Sequence, residues 1–291
     1  CTAGGFPSGH STTAFEAGLT LATLLPELGP EILTRASEQA NDRMVLGVHS
    51  PLDIMSGRMS GHIALAAVWS DADFVQSTVA PAMAELRAYL EKECGDTIAA
   101  CYAAGSAYSD DPYGGAVMPG GSAQIVTDRM SALAVYAERM TYAFPTSGPT
   151  GLAPEVPAGA ENLLLTTFPT LTDAQRVSVI AQTEIASGAP LDLSGTGVAA
   201  WQRLDLAAAM SATVQLNADG SASVVSTGGA ATVLPAPTPV TPANVPAPEL
   251  AATGFADATS WLMVGCGWVL AGALVLLAAR RRGRSSEKTP R

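Results

Sequence analysis

The apolar run from Trp261 to Ala279, followed by the basic sequence RRRGR, sets the strongest limit on how this chain can fold. The run is about long enough to cross a bilayer as a helix, and the arginines behind it are typical of the cytoplasmic side. Ahead of it, residues 229–249 carry prolines at roughly alternate positions, which favours an extended spacer. The sequence therefore confines the globular domain to residues 1–228 and makes residues 250–291 a membrane-directed C-terminus with a transmembrane helix at 261–279.

Within residues 1–228 apolar side chains recur mainly at helical spacing, so we predict an all-α helical bundle. The predicted helices run from Ser11 to about Leu25, from Pro30 to about Leu46, from Pro51 to about Trp69 and from Asp71 to about Glu93, with further helices around residues 127–144, after Thr172, and around residues 201–210. The stretch ATVQLNADGSASVVS predicts a small C-terminal hairpin that turns at Asp219 and Gly220.

Composition and cysteine usage narrow the class of protein. The 291 residues carry a net charge of −11 with 14% charged residues, which argues against nucleic acid as a partner. Cys94 and Cys101 lie close enough in sequence for a small disulfide outside the cytoplasm, although two packed thiols fit the same spacing. No Cys/His spacing typical of zinc occurs, so no metal or other cofactor is expected.

The stretch GGFPSGHSTTAF places polar residues directly before an apolar helical run. Ser8, Gly9 and His10 are therefore expected at a helix N-terminus. Free N–H groups and the positive end of the helix dipole make such a terminus a natural anion site. A capped helix with a surface histidine explains the same residues without any chemistry.

A second polar cluster, DRMVLGVHSPLD, carries Arg43, His49 and Asp53. Ser50 is predicted to cap the helix that follows, which puts Asp53 in its first turn. There the carboxylate can stabilise the helix dipole, and it can also reach back to fix the tautomer of His49. The chain has three histidines, and the third, His62, is interpreted as a packed or exposed bystander inside the same helix.

The sequence PSGH followed by DRMVLGVHSPLD resembles the second and third signature motifs of the phosphatidic acid phosphatase type 2 / haloperoxidase superfamily, and its continuation is similar to the bacterial class A non-specific acid phosphatases. The resemblance implies a surface enzyme that hydrolyses phosphomonoesters without a metal. By this resemblance His49 attacks phosphorus to form a phosphohistidine, Asp53 orients it, and His10 protonates the leaving oxygen. The phosphoryl oxygens would be bound by Ser8, Gly9 and Arg43.

Two departures from the family pattern keep other hypotheses open. Asp42 stands where the third motif has serine, and the first motif (lysine, six residues, Arg-Pro) is absent, because neither Lys92 nor Lys288 begins it. We therefore expect that the chain is a fragment whose upstream part carries that motif. The alternatives are a haloperoxidase that binds vanadate in the same site, and a non-catalytic surface or adhesion protein on a degenerate scaffold.

Between the spacer and the apolar run lies the pentapeptide LAATG, which comprises Leu250, Ala251, Ala252, Thr253 and Gly254. It resembles the variant sorting motif of class E sortases in high-GC Gram-positive bacteria. The resemblance implies cleavage after the threonine and attachment to peptidoglycan, with sortase and, before sorting, the membrane as further partners. A plain C-terminal membrane anchor is the alternative, and both place residues 1–228 outside the cell.

Overall fold

The computed structural model describes residues 5–104, 125–198 and 200–237. Contacts divide the chain into one unit over Cys1–Thr238 and a second over Pro239–Arg291, and all described residues belong to the first. The predicted transmembrane helix at 261–279, the LAATG pentapeptide and most of the predicted spacer lie outside the described residues. Among the residues that are described, no helix is long and apolar enough to span a bilayer.

The first three helices match the predicted ones closely. They are α1 (Gly9–Leu24), α2 (Gly29–Val45) and α3 (Pro51–Val68). Helix α1 begins at Gly9 rather than Ser11, because Ser8 is its N-cap and accepts a hydrogen bond from the N–H of Ser11 at 3.2 Å. Helix α3 begins where predicted, with Ser50 and Asp53 forming a capping box.

The fourth predicted helix is interrupted. It comprises α4 (Ala72–Phe74), a π-helical turn (Val75–Val79) and α5 (Ala80–Cys94). Gly95 caps the C-terminus of α5, and its φ of 82° is the left-handed conformation that glycine adopts without strain. Cys94 and Cys101 form a disulfide with a Cα–Cα distance of 6.3 Å, which ties α5 to the short α6 (Ile98–Ala104). The sequence had left this bridge open against two free thiols.

The remaining elements are α7 (Arg129–Thr141), α8 (Asp173–Thr183), α9 (Leu206–Ala209), β1 (Thr213–Leu216), β2 (Ala222–Ser226) and β3 (Thr232–Leu234), with 3-10 turns at Pro26–Leu28, Ala160–Leu164 and Trp201–Arg203. The helix predicted around 201–210 is split, because the Asp205 side chain accepts from the N–H of Ala208 at 2.9 Å and starts α9 there.

The predicted hairpin is confirmed and belongs to a larger sheet. Strands β1 and β2 pair antiparallel, and β3 pairs parallel to β1, giving the order β2-β1-β3. The sequence did not predict β3, which lies within residues 229–249, the stretch assigned to the spacer. Three residues between a Gly-Ala stretch and a proline are too few to show the alternation that predicts a strand. Their strand conformation depends on pairing with β1. The described unit is thus mostly helical with a small sheet.

Glycines let α1 approach its two neighbouring helices closely. A Cβ at Gly57 of α3 would lie 2.6 Å from Ser11 Cβ and 2.7 Å from the carbonyl oxygen of Ser8. A Cβ at Gly18 of α1 would lie 2.6 Å from Ala36 Cβ of α2. No side chain fits at either position without displacing a neighbour. This close packing brings the start of α1 next to the start of α3 and positions the two polar motifs together.

Candidate active site

The two motifs that the sequence singled out meet where α1 and α3 begin. The backbone N–H of Ser8 donates to the carbonyl oxygen of Asp53 at 3.0 Å, which joins the cap of α1 to the first turn of α3. His49 precedes α3 directly, and Gly9 and His10 form the start of α1. Residues separated by some forty positions in sequence therefore share one end of the helical bundle.

His49 and Asp53 form a direct pair. The ring nitrogen Nδ1 of His49 lies 3.4 Å from Asp53 Oδ2, and the two side chains are 12% and 16% exposed. A carboxylate opposite Nδ1 favours the tautomer with its proton on that nitrogen. The lone pair of Nε2 is then left for chemistry on the side of the ring away from Asp53.

Asp53 also has the structural role that the sequence predicted for it. Its Oδ2 accepts from the backbone N–H of Ser50 at 2.8 Å, while its own N–H donates to the Ser50 hydroxyl. Burial raises the pKa of Asp53, but the hydrogen bonds from Ser50 and His49 outweigh it and hold the pKa below the ordinary value for an aspartate. The carboxylate is therefore charged near neutral pH, and it lies where it can orient the ring of His49.

Gly5 is a site neighbour that the sequence analysis missed. A Cβ at Gly5 would lie 3.5 Å from Asp53 Oδ2 and 3.9 Å from His49 Nδ1. The backbone ahead of the PSGH motif thus runs beside the pair and shields the carboxylate. Nothing in the sequence distinguishes Gly5 from the adjacent Gly4, so its position follows from the tertiary structure alone.

The three residues at the start of α1 have different environments. Ser8 is fully buried, its N–H binds Asp53, and its Oγ accepts from the N–H and hydroxyl of Ser11. Its side chain is thus engaged in capping, and its predicted contact with phosphate stays a prediction. Gly9 and His10 are exposed, and within the described chain His10 makes no hydrogen bond or ion pair. First-turn N–H groups such as that of Gly9 lack intrahelical acceptors.

Arg43 lies in the last turn of α2, and the loop behind it leads to His49. The N–H of Val48 donates to the carbonyl oxygen of Arg43 at 3.1 Å, and Gly47, with a φ of 70°, makes the reversal that this requires. The side chain of Arg43 is half-buried, and its Nε is buried without a hydrogen-bond partner among the described residues. The guanidinium therefore retains donors for an anionic ligand.

Asp42, the departure from the family pattern, is exposed. Partial burial and the nearby Glu38 raise the pKa of Asp42, while Arg139 opposes them. Within the described ranges no hydrogen bond or ion pair links Asp42 to Arg43, so the carboxylate leaves the guanidinium unneutralised.

His62 is the packed bystander that the sequence proposed. It is fully buried, and its ring meets Phe15 edge to face at a centroid distance of 5.8 Å. Burial, together with the nearby Arg58, holds the pKa of His62 well below its ordinary value. In the part of the chain that is described, no group of three or more histidine, cysteine or acidic side chains could hold a metal ion.

The arrangement contains groups of the kinds that phosphoryl transfer uses. His49 is an imidazole oriented by a carboxylate, which is the arrangement of an activated nucleophile. His10 is an exposed group able to give and take a proton, and Arg43 is a cation with open donors. The structure thus brings His49 and Asp53 into contact, links Ser8 to them through the backbone, and leaves His10 and Arg43 without partners among the described residues.

Comparison with known proteins gives a match over the same part of the chain. Residues 2–76 match the PAP2 superfamily. An acid phosphatase from Zymomonas mobilis subsp. mobilis is 37% identical over 71 residues, which cover 24% of this chain and 27% of that protein. No solved structure shows significant similarity to the chain. The chain therefore spans about a quarter of the length of this curated relative. The segment that matches the PAP2 superfamily, residues 2–76, contains every site residue named from the two motifs.

Proposed function

We propose that the protein hydrolyses phosphomonoesters through a phosphohistidine formed on His49. The observation that carries this proposal is the contact between His49 Nδ1 and Asp53 at 3.4 Å, within a segment that matches the PAP2 superfamily. With the Nδ1 proton held by Asp53, the Nε2 lone pair attacks phosphorus and the bond to the ester oxygen breaks. His10 donates a proton to that oxygen, and the alcohol leaves.

The second half of the reaction returns the enzyme to its starting state. His10, now neutral, takes a proton from a water molecule, which attacks phosphorus and breaks the bond to Nε2. Inorganic phosphate leaves, and His49 recovers its lone pair. Arg43 and the N–H of Gly9 bind the non-bridging oxygens during both steps, which matters because phosphoryl transfer depends mainly on positioning and charge stabilisation.

The phosphate site needs more cations than the described residues supply, so we further propose that the first motif of the family lies upstream of this sequence. The chain has two lysines, Lys92 and Lys288, and neither begins that motif. Water-soluble monoesters are the proposed substrates, because the matched relative is an acid phosphatase.

The direct test is hydrolysis of an aryl phosphate by the protein with its native upstream residues, beside the present chain and a His49→Ala variant. We expect the longer protein to be active, the present chain to be weaker, and His49→Ala to lose at least about a thousandfold in kcat. Circular dichroism should show that the variant remains folded. A folded, longer protein without activity, or an active His49→Ala variant, would contradict the proposal.

Vanadate separates this function from the haloperoxidase alternative. As a phosphate analogue it should inhibit aryl phosphate hydrolysis competitively, and added peroxide and bromide should give no halogenated product. Peroxide-dependent bromination by the vanadate-loaded protein would instead favour the oxidase on the same His49 and Arg43 framework.

We also propose that the protein is exported and linked to the cell wall through Thr253. A disulfide between Cys94 and Cys101 suits an oxidising compartment, and the order of spacer, LAATG pentapeptide, apolar run and basic tail supports sorting. Mass spectrometry of protein released from the wall should show Thr253 as its C-terminal residue. The Thr253→Ala variant should be found in the membrane fraction instead. If detergent alone released both the wild type and the Thr253→Ala variant from membranes, a plain membrane anchor would be favoured instead.

A further inference from the structure

A small cavity lies behind the first turn of α3, enclosed by side chains of α1, α2, α3 and α7. The centre of a water-sized sphere can move within about 10 Å³ of it, so it has room for a small occupant. It is lined by Phe15, Ser37, Ile54, Met55, Arg58, Tyr136, Arg139, Met140 and Tyr142. None of these lining residues is a carboxylate, whereas two are arginines. No residue that lines the cavity takes part in the proposed reaction.

Several hydrogen-bond donors at this cavity have no acceptor. The Nε of Arg58 and the hydroxyl groups of Tyr136 and Tyr142 are buried without a hydrogen-bond partner among the described residues. Arg58 is 2% and Tyr136 1% exposed, so solvent does not satisfy them. Each such group costs about 1–3 kcal/mol when left unpaired in the interior. Three of them around one cavity call for a common acceptor.

The same groups are electrostatic neighbours. Burial raises the pKa of Tyr142 to about 12, against the opposing effects of Arg139 and Arg58. Burial likewise raises the pKa of Tyr136, and the charge of Asp205 adds to the rise, whereas the charge of Arg58 and its close approach to the phenol oppose it. Both phenols therefore stay protonated at any physiological pH and act as donors toward the cavity, next to the two guanidinium groups.

The charge of Arg58 is poorly compensated by the protein. Its terminal nitrogens donate to the Gln202 carbonyl oxygen at 2.9 Å, to Gln202 Oε1 at 2.7 Å and to the Leu204 carbonyl oxygen at 3.3 Å, all of which are neutral. Among the described residues no carboxylate lies within ion-pair distance of it. Asp205 acts on Arg58 from farther away, and burial raises the pKa of that aspartate to about 6. A buried cation without a counter-charge is costly.

We propose that this cavity is a binding site for one monatomic anion of the halide class, chloride in the cell's surroundings, held by Arg58 Nε–H and the hydroxyl groups of Tyr136 and Tyr142. The small size of the cavity favours a monatomic anion over larger ones. A water molecule would fit but brings no charge to Arg58. The ion would join α3 to α7 directly beneath the turn that carries Asp53, so it would stabilise the scaffold of the site without entering the reaction.

Two measurements on the full chain test this site. Crystals grown in sodium bromide should show an anomalous difference peak between Arg58 and the two phenols. Thermal unfolding should give a higher Tm in sodium chloride than in sodium gluconate at the same ionic strength, by a few degrees at saturating chloride.

Matched tyrosine variants assign the effect to the cavity. Tyr136→Phe keeps the packing and removes one donor, so it should lose most of the chloride-dependent rise in Tm, while Tyr89→Phe, at a residue that is 59% exposed, should keep it. Tyr142→Phe serves the same purpose if Tyr136→Phe does not fold. A wild-type Tm equal in both salts, a bromide peak only at the surface, or a full chloride effect in the folded cavity variants would overturn the proposal. The first two outcomes would indicate bound water.

Discussion

The first turn of α3 and the middle of the same helix use polar side chains in opposite ways. At the first turn, Asp53 is partly exposed, and its carboxylate has two hydrogen-bonding neighbours. These are the backbone N–H of Ser50 in the cap and the ring of His49. In the middle, Arg58 and His62 are buried, and nitrogen atoms of both lack partners among the described residues. Both stretches contain or adjoin a histidine, so residue type alone does not reveal which one is suited to chemistry.

The difference teaches that environment, rather than residue type, selects the chemically competent histidine. His49 keeps access to solvent, and its ring faces the charged carboxylate of Asp53. Within the described chain His62 has neither solvent access nor a neighbouring carboxylate, and burial keeps it neutral. It can therefore neither exchange protons with solvent nor reach a substrate. The comparison can be tested at the first turn, at the glycine between the two stretches, and at the buried ring.

The largest expected effect is at the first turn. Asp53→Asn keeps the shape of the side chain but removes the charge that orients and stabilises His49, so kcat for an aryl phosphate should fall by roughly 10² to 10⁴. Asp128→Asn is the matched control, because Asp128 forms a similar capping box at the start of α7 and has a lowered pKa through Ser131. It should lose similar stability and keep kcat. Equal kcat losses in the two variants would mean that Asp53 acts only as a cap.

An intermediate effect is expected at Gly57, which lies between the two stretches. A methyl group there would meet Ser11 Cβ at 2.6 Å and the Ser8 carbonyl oxygen at 2.7 Å, so Gly57→Ala should push α1 away from α3. We expect a loss of about 1–3 kcal/mol in the free energy of unfolding, measured by urea denaturation, together with reduced kcat. Gly229→Ala, where a Cβ would meet nothing within 4 Å, should change neither. An unchanged Gly57→Ala protein would show that the helices tolerate a wider separation.

The smallest effect concerns the pH dependence of stability at His62. The folded pKa of His62 is lowered far below the unfolded value of about 6.5, so on acidification the unfolded chain binds a proton that the folded chain does not. The wild type should therefore lose stability below about pH 6.5, by at most about 1.4 kcal/mol per pH unit. His62→Leu removes this contribution. Its free energy of unfolding should fall less steeply between pH 7.5 and pH 5, whereas parallel curves would show that His62 is protonated in the folded state.

The titration of Asp205 does not confound the comparison between the wild type and His62→Leu. Its pKa is raised to about 6 by burial, so it titrates in this range, but it does so in both proteins. The difference between the two stability curves thus reports on His62, and kcat at neutral pH should remain unchanged in the variant.

Much of the fold was accessible from local sequence signals. The start of α3 follows from Ser50 and Asp53, the start of α8 from Thr172 and Gln175, and the hairpin from its Asp-Gly turn, because each signal and its hydrogen-bond partner lie within a few residues. Strand β3 and the π-helical turn at Val75–Val79 were not predicted, since the first depends on pairing with β1 and the second on packing against the rest of the bundle.

By itself, the sequence determined the two motifs, their order and the pairing of His49 with Asp53, because four residues separate them across a helix start whose geometry is local. Only the tertiary structure decided that Ser8 turns inward while His10 stays exposed, that Gly5 lies beside the pair of His49 and Asp53, and that Arg58 and two tyrosines line a cavity behind that pair. These features depend on contacts between residues far apart in the chain, such as Arg58 with Gln202, and burial of that kind leaves no periodic trace in a sequence.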